Sequence, residues 1–439
     1  MDNPEGNPQL DIVAQRWPDV TLDEAAQVLN SLARPLRARE VIAHSGRPTA
    51  AGSLVRTDSG NVFIKRYAHS VRAADGILPY HRFVAHLAAH GIPTPPFLAF
   101  DAGKALDRWA TAAGARARAT ADAVGKSGVP AAGVSVQGTT LTVGDAVYEV
   151  CAQASGEDRY VNALSWDPPA TLGEAERLGE FVARIALASA GFDQPRSLRP
   201  DPFQNRFGLF ASEDLDAALD QWLDDRLVVK DWIGRHHRDV HRDINLHRPF
   251  VERLAGRYQR LAPQWTHGDP HISNFLWVND GDAGIGGRVH AGGAHASGTN
   301  AGGAHAGYRP VSVFDFGLAD RNTALFDLTE LIERHAIQYV AIANGDDAAC
   351  RPDIAAALVR GWNRVRPIGD LERELLPDLL VVCQAEAALN WIAYYVNGTG
   401  REEDALWCYD TSCVGHAAWF TRAEGRRFLD ALRGTLDAL

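Results

Sequence analysis

From Gly281 to Gly307 the chain is dominated by Gly, Ala, His and Ser, and the unit Ala-Gly-Gly-Ala-His-Ala begins at Ala291 and again at Ala301. Such a stretch buries too little apolar surface to offset the entropy lost on ordering. The fold must therefore be built from the sequence on either side, with this segment carried as a loop between two strands. Metal binding by His290, His295 and His305 is the sharper reading of its histidines; a disordered insertion is the reading composition favours.

The two sides differ in periodicity. On the N-terminal side, Thr21-Leu22-Asp23-Glu24 is a capping box that opens a helix to about Arg34. Leu54-Val55-Arg56 and Asn61-Val62-Phe63-Ile64-Lys65 flank the turn Asp58-Ser59-Gly60, the pattern of a hairpin. Residues from about Pro79 to His90 are predicted helical, Phe97 to Phe100 a strand, and Val147 to Ala152 a strand. Residues 105–138, rich in Ala and Gly, form a second insertion. Beyond them the chain turns helical. Thr171-Leu172-Gly173-Glu174 caps a helix with Leu178, Phe181, Val182 and Ile185 on one face, and helix dominates after Leu371, with Trp391, Tyr394 and Tyr395 as core. The expectation is an α+β chain of two lobes, 1–154 rich in β and 155–439 mainly helical, with a cleft between them.

At 439 residues the chain can bury a sizeable core, and a net charge of −11 with no basic stripe argues against a nucleic-acid partner. The N-terminus has no basic, then apolar, targeting pattern, and no run of about 18 uncharged apolar residues marks a membrane span, so a cytoplasmic location is expected. Cys151, Cys350, Cys383, Cys408 and Cys413 are odd in number and scattered, which suits free buried thiols. An acidic chain tolerates or attracts a cationic partner.

Chemistry concentrates in His267-Gly268-Asp269-Pro270-His271-Ile272-Ser273-Asn274. Phosphoryl transfer to a hydroxyl needs a carboxylate to orient that hydroxyl and accept its proton, and oxygen ligands for Mg²⁺. An Asp and an Asn five residues apart on one loop meet both needs. After the insertion, the apolar Val311-Ser312-Val313-Phe314 ends in Asp315-Phe316-Gly317, which projects a second carboxylate from a strand end. Gly125-Lys126-Ser127 looks like the end of a P-loop, but Thr120 stands where a glycine is required. Ser45 to Gly52 could cover phosphates between two strands, a weak signal beside these.

On these motifs the chain resembles the aminoglycoside phosphotransferase and choline kinase group of the protein-kinase-like superfamily. The group's H-G-D-x-H-x-x-N pattern is matched at His267, Gly268, Asp269, His271 and Asn274, its D-[FW]-G at Asp315, Phe316 and Gly317, and its downstream D-L at Asp327-Leu328. The resemblance implies a small-molecule kinase that uses ATP and Mg²⁺. Asp269 would be the base, and Asn274 and Asp315 the metal ligands. His267, His271 and Asp327 would give structural support. Lys65 looks like the nucleotide-phosphate lysine, and Tyr148-Glu149-Val150 up to Cys151 is similar to the hinge that holds adenine. The acceptor would carry a hydroxyl, as in an aminoglycoside, an amino alcohol or a hydroxy amino acid. The group also pairs its lysine with a helix glutamate. Here no Glu lies between Lys65 and Pro95, and Tyr80 and His81 stand near the expected place.

Two other functions fit parts of the pattern. His267, Asp269 and His271 could form the metal cluster of a hydrolase. The missing helix glutamate would suit a nucleotide-binding protein with weak catalysis. Glu330, Glu333 and Asp320 are candidate acceptor contacts because they follow Asp315.

Overall fold

The computed structural model describes residues 17–45, 49–109, 133–196, 207–280 and 307–439. Gly125-Lys126-Ser127, His290, His295 and His305 lie outside them. Helix α1 (Leu22–Asn30) starts where the capping box placed it, with Thr21 Oγ1 accepting the Glu24 N–H at 3.2 Å, and ends at Asn30 rather than near Arg34. Strands β1 (Ala38–Ser45), β2 (Ala51–Thr57) and β3 (Gly60–Ala68) follow, then helix α2 (Ala74–Ala89), β4 (Val134–Gln137), β5 (Thr140–Val143) and β6 (Ala146–Ala152). The six strands form one sheet in the order β1-β2-β3-β6-β5-β4, with every pair antiparallel.

Alternation along the strands gives the sheet two different faces. Val62 and Ile64 of β3 and Tyr148 and Val150 of β6 pack with Val28 and Leu29 of α1. Glu24 anchors α1 to that face, accepting from Arg66 Nη1 at 2.6 Å and Tyr148 Oη at 2.8 Å. The opposite parity puts Lys65 and Tyr67 of β3 and Val147 and Glu149 of β6 on the inner face. There α2 contributes Ile77, Tyr80, Phe83, Val84 and Leu87 to the larger core.

Two expectations change here. Phe97 to Phe100 is not a strand; it runs beside β6 through single bonds such as Leu98 N–H to Val150 O at 2.8 Å. The expected insertion 105–138 yields β4 at its end, because Val134 and Val136 pair with Val143 and Leu141 of β5.

The rest is mainly helical. Helix α3 (Leu172–Ala188) is capped by Thr171 Oγ1, as its sequence predicts. It crosses α5 (Pro352–Val365) so closely that a Cβ at Gly361 would lie 1.9 Å from Glu176 O. Between them in sequence is α4 (Ala324–Ala336), and α6 (Asp370–Ala393) runs through the centre. The stretch Asp370–Gly398 is long and apolar enough to cross a membrane, but 89% of its most apolar 18-residue window is buried within the fold, and it serves as the core helix. Two short antiparallel ladders pin the loops of interest: β7 (Pro263–Thr266) with β10 (Asp320–Thr323), and β8 (Phe275–Asn279) with β9 (Tyr308–Val313). The architecture is the expected α+β one, a β-rich N-terminal part followed by a mainly helical C-terminal part. The five cysteines are free, with Cys383, Cys408 and Cys413 buried and Cys151 and Cys350 partly so.

Candidate active site

The two ladders set the chemistry-bearing loops side by side. The β7–β8 connection carries residues 267–274 and the β9–β10 connection carries Asp315. His267 Nε2 bonds Phe314 O at 2.9 Å, and Phe314 N–H donates to Asn274 O at 3.0 Å. Asp327, in the first turn of α4, accepts the N–H groups of His267 at 2.8 Å and Gly268 at 2.9 Å. Burial raises the Asp327 carboxyl pKa, while His267 and the two backbone donors favour its charged form. Gly268 has φ +87°, and a Cβ there would lie 1.9 Å from Leu318 O, so only glycine fits. His267 Nδ1 accepts the Asp269 N–H at 3.2 Å. Both ring nitrogens of His267 are thus spent on the backbone, and His267 and Asp327 both hydrogen-bond the backbone of the loop region.

Asp269 sits under this brace with its side chain 19% exposed. His271 Nε2 is 3.6 Å from its Oδ2, and Arg334 Nε is 3.5 Å from its Oδ1. Burial works against the ionised carboxylate, but His271, Arg334 and His267 outweigh it and hold its pKa below the usual range. Asn274 Nδ2 donates to Asp269 O at 2.9 Å, which leaves its carbonyl oxygen as the side chain's acceptor. Asp315 takes a left-handed backbone, φ 60° and ψ 62°, and its Oδ1 lies 2.5 Å from Lys65 Nζ. For Lys65, burial opposes the charge, yet Asp315, Tyr67 and Glu149 raise the ammonium pKa above its ordinary value.

Lys65, Asp269 and Asp315 line one cavity between the sheet and the helices. Ser45 at the end of β1, Thr49 and Ala50 of the β1–β2 connection, and Gly52 of β2 line its sheet side. The far side is aromatic: Trp166, Tyr339, Trp391, Tyr395 and Trp407. Trp391, expected as core, is a wall of this cavity, near the wide π-helical turn at Tyr394–Thr399 that continues α6.

The adenine-hinge assignment to Glu149, Val150 and Cys151 does not hold. All three are inside β6, between β3 and β5, and their backbone groups are used in pairing: Glu149 faces Lys65 and Thr140, Val150 O accepts from Leu98, and Cys151 bridges Phe97. Glu330 and Glu333 are fully buried behind Arg334, Asp320 is buried in β10, and none of the three lines the cavity. Sequence reasoning missed Arg334, although it lies seven residues after Asp327, two turns along the same helix face. It also missed Arg72, which donates to Gly317 O at 2.7 Å and lines the cavity.

The donor set suits the implied groups. Asp315 and Asn274 offer hard oxygens, the type Mg²⁺ takes one or two of alongside phosphate oxygens. Lys65 and Arg72 supply positive charge on the same wall. Among the described residues, no group of three or more His, Cys, Asp or Glu side chains is arranged to hold a metal ion. The hydrolase cluster at His267, Asp269 and His271 therefore lacks its geometry.

A model of the phosphotransferase enzyme family matches residues 49–286, more than half of the chain. Solved structures with similar architecture include an aminoglycoside phosphotransferase from Alicyclobacillus acidocaldarius, at 15% identity, 97% of this chain, 98% of that chain and a TM-score of 0.47. A microcompartment-associated aminopropanol kinase gives 14%, 93%, 100% and 0.49. A spectinomycin phosphotransferase solved with ADP and spectinomycin gives 10%, 93%, 100% and 0.47. A search of curated proteins found no match.

Proposed function

The chain belongs to the phosphotransferase enzyme family, and from that premise we propose that it transfers the γ-phosphate of ATP to a hydroxyl group of a small molecule. The observation that carries this reading is the convergence of Lys65, Asp269 and Asp315 on one cavity from three separate parts of the chain. Asp269 orients the acceptor hydroxyl through its carboxylate and takes the hydroxyl proton as the new P–O bond forms. Its depressed pKa makes it a weak base, which suits a loose transition state in which the proton leaves late. Asn274 and Asp315 would hold Mg²⁺, which neutralises phosphate charge when bound. Lys65 and Arg72 face the phosphates.

The body of the acceptor lies against the aromatic wall of Trp166, Trp391, Tyr395 and Trp407. Such faces hold either an apolar body or an ammonium group by cation–π attraction. A hydroxylated amine therefore fits this wall, in keeping with the chain's acidic balance. The weak-catalysis alternative is disfavoured by the joint presence of Asp269, Asn274 and Asp315.

The test is ADP formation from Mg·ATP, with and without a panel of amino alcohols, hydroxy amino acids and aminoglycosides, on wild type and Asp269→Asn. Acceptor-dependent ADP release that vanishes in the variant is expected. Metal-dependent ester hydrolysis without ATP would favour the hydrolase, and nucleotide binding with no acceptor-dependent turnover the weakly catalytic reading.

A further inference from the structure

The pattern this chain resembles holds its phosphate lysine with a helix glutamate, and α2 has none. At the corresponding place α2 presents Tyr80 and His81, and both reach a carboxylate that belongs to the sheet. Tyr80 Oη donates to Glu149 Oε2, and His81 Nε2 lies 2.8 Å from the same oxygen. His81 is held in turn by Thr139 Oγ1 at 2.6 Å on Nδ1, and its ring stacks on Phe97 at 3.5 Å between centroids. Tyr67 Oη approaches Glu149 Oε1 at 3.4 Å.

Glu149 is also the direct cross-strand partner of Lys65 in the β3–β6 ladder. Residues directly opposite in an antiparallel pair put their side chains on the same face, with Cβ atoms about 5 Å apart. The residue is 5% exposed and does not line the cavity, so it acts on the site only through a neighbour.

We propose that Glu149 is the positioning residue for Lys65, supplying from the adjacent strand the negative charge that the usual pattern supplies from the helix. Tyr80 and His81 reverse the ordinary roles: the helix provides the donors and the sheet provides the acid. The electrostatics agree. Burial opposes a charged Glu149, but His81, Lys65 and Tyr80 together keep its pKa below the ordinary carboxylate value. The arrangement also gives Lys65 a second counter-charge besides Asp315. Once Asp315 serves as a metal ligand, Glu149 remains to hold the ammonium group in line. The inference rests on the kinase reading above.

The experiment measures Mg·ADP affinity by calorimetry, the kcat and KM for ATP, and the thermal midpoint. The variants are Glu149→Gln, Lys65→Ala, their double variant, and the transposed pair Glu149→His with His81→Glu. Glu149→Gln preserves shape and most donors. It is expected to weaken Mg·ADP affinity and raise the KM for ATP about tenfold, with the midpoint within a few degrees of wild type. In a Lys65→Ala background the same change should add nothing to the affinity loss, because the residue acts through the lysine. The transposed pair should recover part of the affinity by returning the acid to the helix. Unchanged affinity in Glu149→Gln, or an equal further loss in the Lys65→Ala background, would overturn the proposal while leaving the kinase reading intact. Absence of Mg·ADP binding by wild type would remove both.

Discussion

Lys65 and Asp315, 250 residues apart in the chain, meet at 2.5 Å across the cavity, one from the sheet and one from the helical part. In this structure the ammonium group is the neighbour of the carboxylate that is assigned to metal. The two aspartates of the site should therefore fail differently. Asp269→Asn keeps size and removes only the charge on the proposed proton acceptor. It is expected to lower turnover by roughly 10³-fold with Mg·ATP affinity nearly unchanged. Asp315→Asn should weaken Mg·ATP binding by roughly ten- to a hundredfold, with partial recovery at high Mg²⁺. Calorimetric titration beside single-turnover ADP release separates them; the reverse pattern would exchange the two roles.

Asp327 holds the loop by accepting two backbone donors with its two oxygens. In Asp327→Asn one oxygen becomes an NH₂ group and confronts an N–H. The expected cost is about 1–3 kcal/mol in urea unfolding, with a fall in turnover larger than any change in nucleotide affinity. A variant with wild-type stability and activity would show that the loop does not depend on this clamp.

The segment from 281 to 306 leaves and re-enters at the end of a closed ladder. Asn279 pairs with Tyr308, and Asp280 N–H donates to Gly307 O at 3.0 Å. Loop entropy changes slowly with length, so replacing the segment by a short Gly-Ser bridge should leave the unfolding midpoint and ATP use nearly unchanged. Loss of cooperative unfolding in the shortened protein would assign the segment a structural role.

Glu330 and Glu333 flank Arg334 without lining the cavity. Burial, opposed by Arg334, pushes the Glu333 carboxyl up to about 7, and Glu330 is raised as well. A raised folded-state pKa means the protonated form is favoured by folding. That contribution is complete below about 4.5 and is lost as pH rises through about 7. Glu333→Gln mimics the protonated form. Its thermal midpoint relative to wild type should therefore rise by roughly 2–6 °C between pH 5 and pH 8. A constant difference across that range would place the titration elsewhere.

What the sequence made legible follows the distance over which its signals act. Asp269, Asn274 and Asp315 lie in short motifs whose spacing encodes a loop and a strand end, so their convergence could be anticipated. The capping boxes at Thr21 and Thr171 are equally local and hold in the structure. Glu149 was misplaced because an apolar run followed by polar residues marks where a strand lies but not how far it pairs; only the register with β3 sets it opposite Lys65. Arg334 was missed because a run of charges on a helix ordinarily faces water. Here α4 is buried on nearly every side, and its charges neutralise one another beneath the cavity.

The aromatic wall has an optical consequence. Three of the chain's eleven tryptophans, Trp166, Trp391 and Trp407, border the side of the cavity proposed for the acceptor. Indole emission responds to the polarity of its surroundings, so a molecule that displaces water from this wall alters the protein's own fluorescence. Acceptors can then be sought by light alone, in the absence of nucleotide, and ranked before any phosphate is transferred.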